Sequence, residues 1–333
     1  MNRRIIAIAC GASLLIAAAV LVALRERRQT VPRPDVPESP CPVEVRVKAV
    51  ERKPEPSDHE VVEASTVVAI VCGADPATAD RYEARNDALR SIARRRDMPE
   101  KDVAALIAYL RTADNAMRVE RVAALKNDVM NLLRRQEPPV EGLAETLIAM
   151  IEGGNSDCGG ALGDRALPGN TIHPPVVVDY CIQHLGAMVN ELDDAMCNRV
   201  REVLVRAARE KTKPYAGTAL YSLAEDRRAT PAQETELKRL TLALCKPGVN
   251  NVARIAAIQL AGERGYAEAL PVLRETLLGA RRDAVLDIVC IGSVGLLGNA
   301  DDVPILSRFL SDSRRAAAVD AAIQRIKERA DAN

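Results

Sequence analysis

The chain has 333 residues, and its 46 lysines and arginines balance 46 aspartates and glutamates. Five of the arginines lie in the first 28 residues, so the remainder carries 41 basic and 45 acidic residues. A slightly acidic body argues against a nucleic-acid partner, and the lack of tryptophan, with one phenylalanine and six tyrosines, leaves few rings to stack on bases. Alanine, leucine, arginine and glutamate dominate, which predicts an all-α fold.

An apolar segment without charged residues occupies positions 5–24. At about 1.5 Å per helical residue it spans about 30 Å, the thickness of a bilayer core. We predict a single transmembrane helix within residues 1–28 of a bacterial inner-membrane protein. Arginines flank the segment almost equally on both sides, so the positive-inside rule decides little; we favour a periplasmic body. A cleaved signal peptide, with its cleavage site in the alanines at 17–19, is the alternative.

The rest of the chain divides into a linker, two helical regions and a loop. Residues 29–57 hold seven prolines and predict an extended linker. Apolar residues then recur with helical spacing in a first region, 58–152, and a second, 176–333. Between them, residues 153–175 contain six glycines and three prolines and predict a loop. The predicted helices are 78–96, 101–111, 117–135, 141–152, 176–190, 193–210, 214–225, 230–245, 249–264, 267–279, 282–297, 301–311 and 313–329.

The second helical region repeats itself. Pro271 and Pro304 stand 33 residues apart in LPVL and VPIL, and each follows a helix rich in small residues and a glycine turn. The pattern of residues 254–273, repeated in degraded form at 287–306, resembles the HEAT-like, armadillo-type family, and the chain is similar to bacterial membrane-associated HEAT-repeat proteins. The resemblance implies a right-handed α-α superhelix, or solenoid, of helix pairs, and a scaffolding role.

Histidines and cysteines cluster around the glycine-rich loop. Cys181 and His184 are three residues apart on a predicted helix and therefore share a face. With Cys158 and His173 they form a candidate tetrahedral zinc site. A disulfide from Cys158 to Cys181 or Cys197 is the competing interpretation in an oxidising compartment, and buried free thiols are the third.

No grouping of residues typical of a catalytic site stands out, and we expect no cofactor. The paired acids 193–194 and 301–302 begin predicted helices, where carboxylates cap exposed amides. The sequence therefore predicts a membrane-anchored, non-catalytic scaffold that binds protein partners on the solenoid surface formed by the second helices of each pair. A helical-repeat enzyme of the lyase type is one alternative, although aromatic residues are scarce. A secreted binding module released by signal-peptide cleavage is the other.

Overall fold

The computed structural model describes residues 64–153, 173–280 and 283–332, which contain fourteen α-helices and no strand. The predicted all-α fold is confirmed for this part of the chain. The helices are α1 (Ala64–Val71), α2 (Tyr82–Ile92), α3 (Glu100–Arg111), α4 (Val119–Arg134), α5 (Leu143–Glu152), α6 (Pro175–Met188), α7 (Asp194–Arg209), α8 (Tyr215–Ala224), α9 (Pro231–Leu244), α10 (Asn251–Glu263), α11 (Leu270–Leu278), α12 (Ala284–Leu297), α13 (Val303–Ser307) and α14 (Ala316–Ala332). The predicted anchor, the linker and most of the glycine-rich loop, including Cys158, lie outside the described residues.

Side chains just before several helices explain where those helices begin. Asp193 accepts a hydrogen bond from the backbone of Met196, and Thr230 forms a capping box with Gln233. Both arrangements satisfy amides that have no partner inside the helix. Two predicted helices, 267–279 and 301–311, instead begin with a 3-10 turn and continue as the shorter helices α11 and α13.

The helices alternate between two packed layers. The even-numbered helices from α2 to α14 pack against one another in chain order, and each also packs against odd-numbered neighbours. Odd-numbered helices contact each other less extensively. One continuous set of buried apolar side chains fills the space between the layers. We call these sets the even layer and the odd layer.

Small residues bring neighbouring helices of the even layer close together. A Cβ atom added to any of four glycines would lie only 2.5–2.9 Å from the next even-numbered helix. The pairs are Gly186 with Ser222, Gly217 with Ala256, Gly262 with Ser293, and Gly295 with Ala322. These contacts join α6, α8, α10, α12 and α14 in an unbroken series, which we call the glycine seam.

Two of these contacts also carry the same hydrogen bond. The Ser222 hydroxyl donates to the carbonyl oxygen of Ile182 at 3.1 Å, and the Ser293 hydroxyl donates to that of Ile258 at 2.9 Å. In each case the seam glycine lies four residues after the isoleucine, one helical turn further along. The packing of α6 on α8 therefore recurs where α10 meets α12, and the buried hydroxyls are satisfied.

A change from glycine to alanine should have opposite effects on the free energy of unfolding at a helix glycine in the seam and at one outside it. In Gly186→Ala the new Cβ would lie 2.5 Å from Ser222 Cβ and 2.8 Å from its Cα, so the helices must separate. We expect the free energy of unfolding to fall by about 1–3 kcal/mol. Gly292, also inside a helix, has no atom within 4 Å of its Cβ position. Gly292→Ala should raise the free energy of unfolding by about 0.5–1 kcal/mol. Urea denaturation of both variants checks the prediction, and changes of the same sign would contradict it.

Ion pairs, rather than small residues, join neighbouring segments of the odd layer. The pairs are Arg206 of α7 with Glu152 of α5, Arg209 of α7 with Glu236 of α9, Lys238 of α9 with Glu268 before α11, and Arg274 of α11 with Asp302 before α13. The last is bidentate, with nitrogen–oxygen distances of 2.6 and 2.9 Å. Long side chains therefore span the spaces between odd-numbered helices.

A buried polar cluster connects the first four helices. The guanidinium of Arg85 donates to the carbonyl oxygens of Val71 and Ala79, both at 2.9 Å, and lies 2.8 Å from the carboxylate of Asp114. Nearby, the buried amine of Lys126 donates to the carbonyl oxygens of Leu110 and Thr112 at 2.8 and 2.6 Å. Both cations thus bind carbonyl groups that the ends of α1 and α3 leave without helical partners.

Candidate interaction surface

Four of the five residues in the predicted metal or disulfide site are described, and all four are buried. His173 precedes α6, Cys181 and His184 lie on α6, and Cys197 lies on α7. Lys126 is the neighbouring cation for both His173 and Cys181, and its charge lowers the pKa of each side chain. The thiol of Cys197 instead donates to the carboxylate of Asp226 at 3.7 Å. The four described residues of the predicted site therefore do not surround a common position.

Both ring nitrogens of His184 already have protein partners. Arg134 lies 3.3 Å from Nδ1, and because a guanidinium only donates, Nδ1 accepts. The proton is therefore on Nε2, which donates to the amide oxygen of Asn127 at 3.1 Å. Burial, and then the Arg134 charge, lower the pKa of His184 to about 4. This histidine is a neutral link between α4 and α6 at pH 7.

The described cysteines are all free thiols, namely Cys72, Cys181, Cys197, Cys245 and Cys290. Within the same part of the chain, no group of three or more histidine, cysteine or acidic side chains is placed to hold a metal ion. Because Cys158 lies outside that part, the zinc site and the disulfide remain predictions. None of the described helices is both long and apolar enough to cross a membrane. Residues 5–24 lie outside the described part of the chain.

The outer surface of four consecutive even-layer helices, α6 to α12, contrasts with the rest of the described chain in its charge. Helices α6, α8, α10 and α12 contain a single lysine or arginine, Arg254, and this side chain is buried against the Cys245 carbonyl and the Thr276 hydroxyl. We call the exposed and half-buried residues of these four helices the even face. It presents no basic side chain to solvent.

Apolar side chains occupy much of the even face, especially on α10 and α12. The exposed fractions are 61 % for Val252, 47 % for Val285 and 41 % for Leu296. Half-buried apolar residues lie between them, and these are Ile255, Ala256, Ile288 and Val289. Gly292 is in the same region, with open space where its side chain would be. The result is an apolar surface that includes Gly292, where no neighbouring atom limits a side chain.

Two carboxylates on the even face have no cationic partner. Asp179 accepts a hydrogen bond from Gln183 at 2.9 Å, and Glu263 lies beside the Tyr221 phenol, but no lysine or arginine in the described residues forms an ion pair with either acid. Partial burial raises the pKa of each carboxyl group above the usual value for its residue type. Arg264, next to Glu263, is directed elsewhere, because it binds the Ala224 carbonyl and approaches Glu234.

Charges of both signs pair with one another in a groove on the outer surface of the odd layer. A groove along α7 is lined by Arg201, Glu202, Val205, Arg206 and Arg209. Three of these arginines form ion pairs, with Asp226, Glu152 and Glu236 respectively. This groove therefore offers little free positive charge to a ligand.

The sequence did not single out the even face, because the surface predicted from it was that of the second helices of each pair, which are α11 and α13 of the odd layer in the repeat at 254–306. Helix α12 reads as apolar on nearly every side, so periodicity alone cannot separate its buried from its exposed positions. The available signal was the scarcity of lysine and arginine in four alternate helices. It becomes a surface property only once those helices are known to lie side by side.

Comparison of the chain with protein-family models and with curated proteins gave no match.

Proposed function

We propose that the chain is a membrane-anchored, non-catalytic scaffold whose even face binds a protein partner. The observation that carries the proposal is the lack of exposed lysine and arginine on four consecutive even-numbered helices, α6, α8, α10 and α12. An outer surface with exposed valines and leucine but no exposed lysine or arginine differs from an ordinary solvated helix face, and contiguous apolar patches of this kind mark interaction sites.

The two types of contact between neighbouring helices support a HEAT-like solenoid. Even-numbered helices approach closely at the glycine seam, whereas long ion-paired side chains separate the odd-numbered helices. Stacked layers with unequal spacing curve toward the more closely spaced layer. The even face would then be the concave surface of a superhelix, and the resemblance in residues 254–306 implies a right-handed one.

The membrane part of the proposal rests on the sequence. An apolar segment at 5–24 and a proline-rich linker at 29–57 would tether the helical body to a bacterial inner membrane, and we favour the periplasmic side. A reporter fused to the C-terminus tests this placement: a reporter active only outside the cytoplasm is expected, and one active only inside would contradict it. N-terminal sequencing of the purified protein distinguishes the anchor from a cleaved signal peptide.

Affinity capture of the full-length chain from detergent-solubilised membranes tests the scaffold function. We expect one or more proteins to be recovered in stoichiometric amount, and we expect Gly292→Arg to abolish their recovery. Leu278→Arg is the matched control, because Leu278 is 47 % exposed on α11 of the odd layer and its replacement should leave recovery unchanged. A chain that always purifies alone would contradict the proposal, and so would a partner lost only in Leu278→Arg.

A further inference from the structure

The even face combines an apolar surface with uncompensated negative charge at one edge. Val252 and Val285 lie in the first turns of α10 and α12, whereas Glu263 and Leu296 lie in their last turns. The side chain of Leu296 reaches α10, since its Cδ1 lies 3.2 Å from the Cβ position of Gly262. An apolar side chain of α12 therefore packs beside the residue that precedes Glu263.

The Tyr221 phenol of the neighbouring helix α8 interacts with Glu263. Tyr221 of α8 lies close enough to Glu263 for each group to alter the pKa of the other, and partial burial is the largest cause of the raised pKa of both. An exposed carboxylate that forms no ion pair is a favourable contact for an incoming cation, because it supplies charge and accepts a charge-assisted hydrogen bond.

We propose that the even face binds a basic, partly apolar protein segment, with apolar side chains over α10 and α12 around Gly292 and a lysine or arginine against Glu263 beside Tyr221. This inference rests on the proposed function, in which the even face is the docking surface. It adds the chemistry of the partner.

Charge complementarity favours this occupant over two others. An anionic membrane surface or a phosphate group would meet Asp179 and Glu263 with charge of the same sign and no exposed base on the even face to attract it. A second copy docking through the same face would bring together two surfaces that both lack an exposed base, so neither copy would supply a counter-charge for these acids. A segment that carries cations among apolar residues instead meets both features of the surface.

Two synthetic peptides of about 15 residues test the proposal with the full-length chain in detergent. Both are amphipathic helices with the same leucine and alanine face; one carries lysines on the opposite face and the other carries glutamates. We expect the lysine peptide to bind at least tenfold more tightly by fluorescence anisotropy, with an affinity that falls as salt is added. Equal binding of the two peptides would overturn the proposal.

Three variants locate the binding site. Glu263→Gln should weaken binding of the lysine peptide about fivefold, because one exposed charge contact is lost. Gly292→Arg should weaken it tenfold or more, because a bulky cation would stand on the apolar surface and repel the lysines of the peptide. Glu202→Gln is the matched control: Glu202 is an exposed acid on α7, and its replacement should leave the affinity unchanged. An effect of Glu202→Gln equal to that of Glu263→Gln would show a diffuse attraction and overturn the assigned site.

The peptide and capture experiments fail separately. If Gly292→Arg abolishes capture of a partner from membranes but the lysine and glutamate peptides bind equally, the docking surface stands and the partner chemistry is wrong. If the lysine peptide binds as expected but no partner is captured, the recognition chemistry stands and the scaffold function is wrong.

Discussion

Replacing Asp114 with alanine should lower the free energy of unfolding by about 3–5 kcal/mol, because a buried guanidinium would lose its counter-charge. The side chains of Arg85 and Asp114 are only 1 % and 8 % exposed. Arg85 is held in place by the carbonyl groups of Val71 and Ala79, so it cannot reach water without breaking those hydrogen bonds. The Tyr109 hydroxyl, which donates to Asp114 at 3.1 Å, would lose its acceptor as well.

An exposed ion pair in the same region is the control for this experiment. Arg96 and Glu137 approach to 2.6 Å, but their side chains are 67 % and 68 % exposed. Glu137→Ala should therefore cost less than about 1 kcal/mol. Urea unfolding followed by circular dichroism measures both variants. If the two substitutions have similar effects, the buried cluster does not stabilise α1 to α4 as described.

Acidification should destabilise the folded chain through His173 and His184. Burial lowers the pKa of each from 6.5 to about 4, with the charges of Lys126 and Arg134 respectively as the second cause. Between these pH values the unfolded chain binds more protons than the folded chain, so stability is lost as pH falls from about 6.5 to about 4. At pH 4.5 each histidine should cost about 2–3 kcal/mol relative to pH 7.5.

The variant His184→Gln isolates one of these contributions. A glutamine amide neither titrates nor loses the ability to accept from Arg134 and donate to Asn127. The variant should be close to the parent chain in stability at pH 7.5 and lose about 2–3 kcal/mol less between pH 7.5 and 4.5. Urea titrations at the two pH values provide the measurement. An unchanged pH dependence would mean that His184 is already protonated in the folded chain.

Helix positions could be predicted from the sequence where one apolar stripe alternates with polar residues. The last turn of α4 and the break at Pro174 follow directly from that pattern and from residues that end or begin helices, whereas the predicted helix 141–152 wrongly included Gly142, which precedes α5 in a left-handed conformation. Helix α1 was not predicted as a separate helix, because its short run of valine, alanine and isoleucine has no polar side to give a helical period. The 3-10 turns before α11 and α13 were also missed, because they lie at the start of predicted helices and were included in them.

Candidate functional residues were harder to predict than the helices, because their roles depend on which helices are neighbours. His184 and Cys181 were paired on the correct reasoning that they share one side of α6. That side faces α4, where Arg134 and Asn127 occupy both ring nitrogens of His184, and nothing in the sequence links positions 50 and 57 residues apart. The even face was missed for the same reason, since it exists only when four alternate helices are placed together.

The unequal contacts of the two layers have a mechanical consequence. Atoms already in contact at the glycine seam resist any closer approach steeply, and separating them forfeits dispersion attraction within an ångström. Ion pairs such as Arg209–Glu236 and Lys238–Glu268 join side chains with several rotatable bonds, and they can follow a change in helix spacing. We expect the helical array to bend mainly by opening and closing its odd side. Exposed ion pairs are screened by salt, so the array should bend more easily as ionic strength rises.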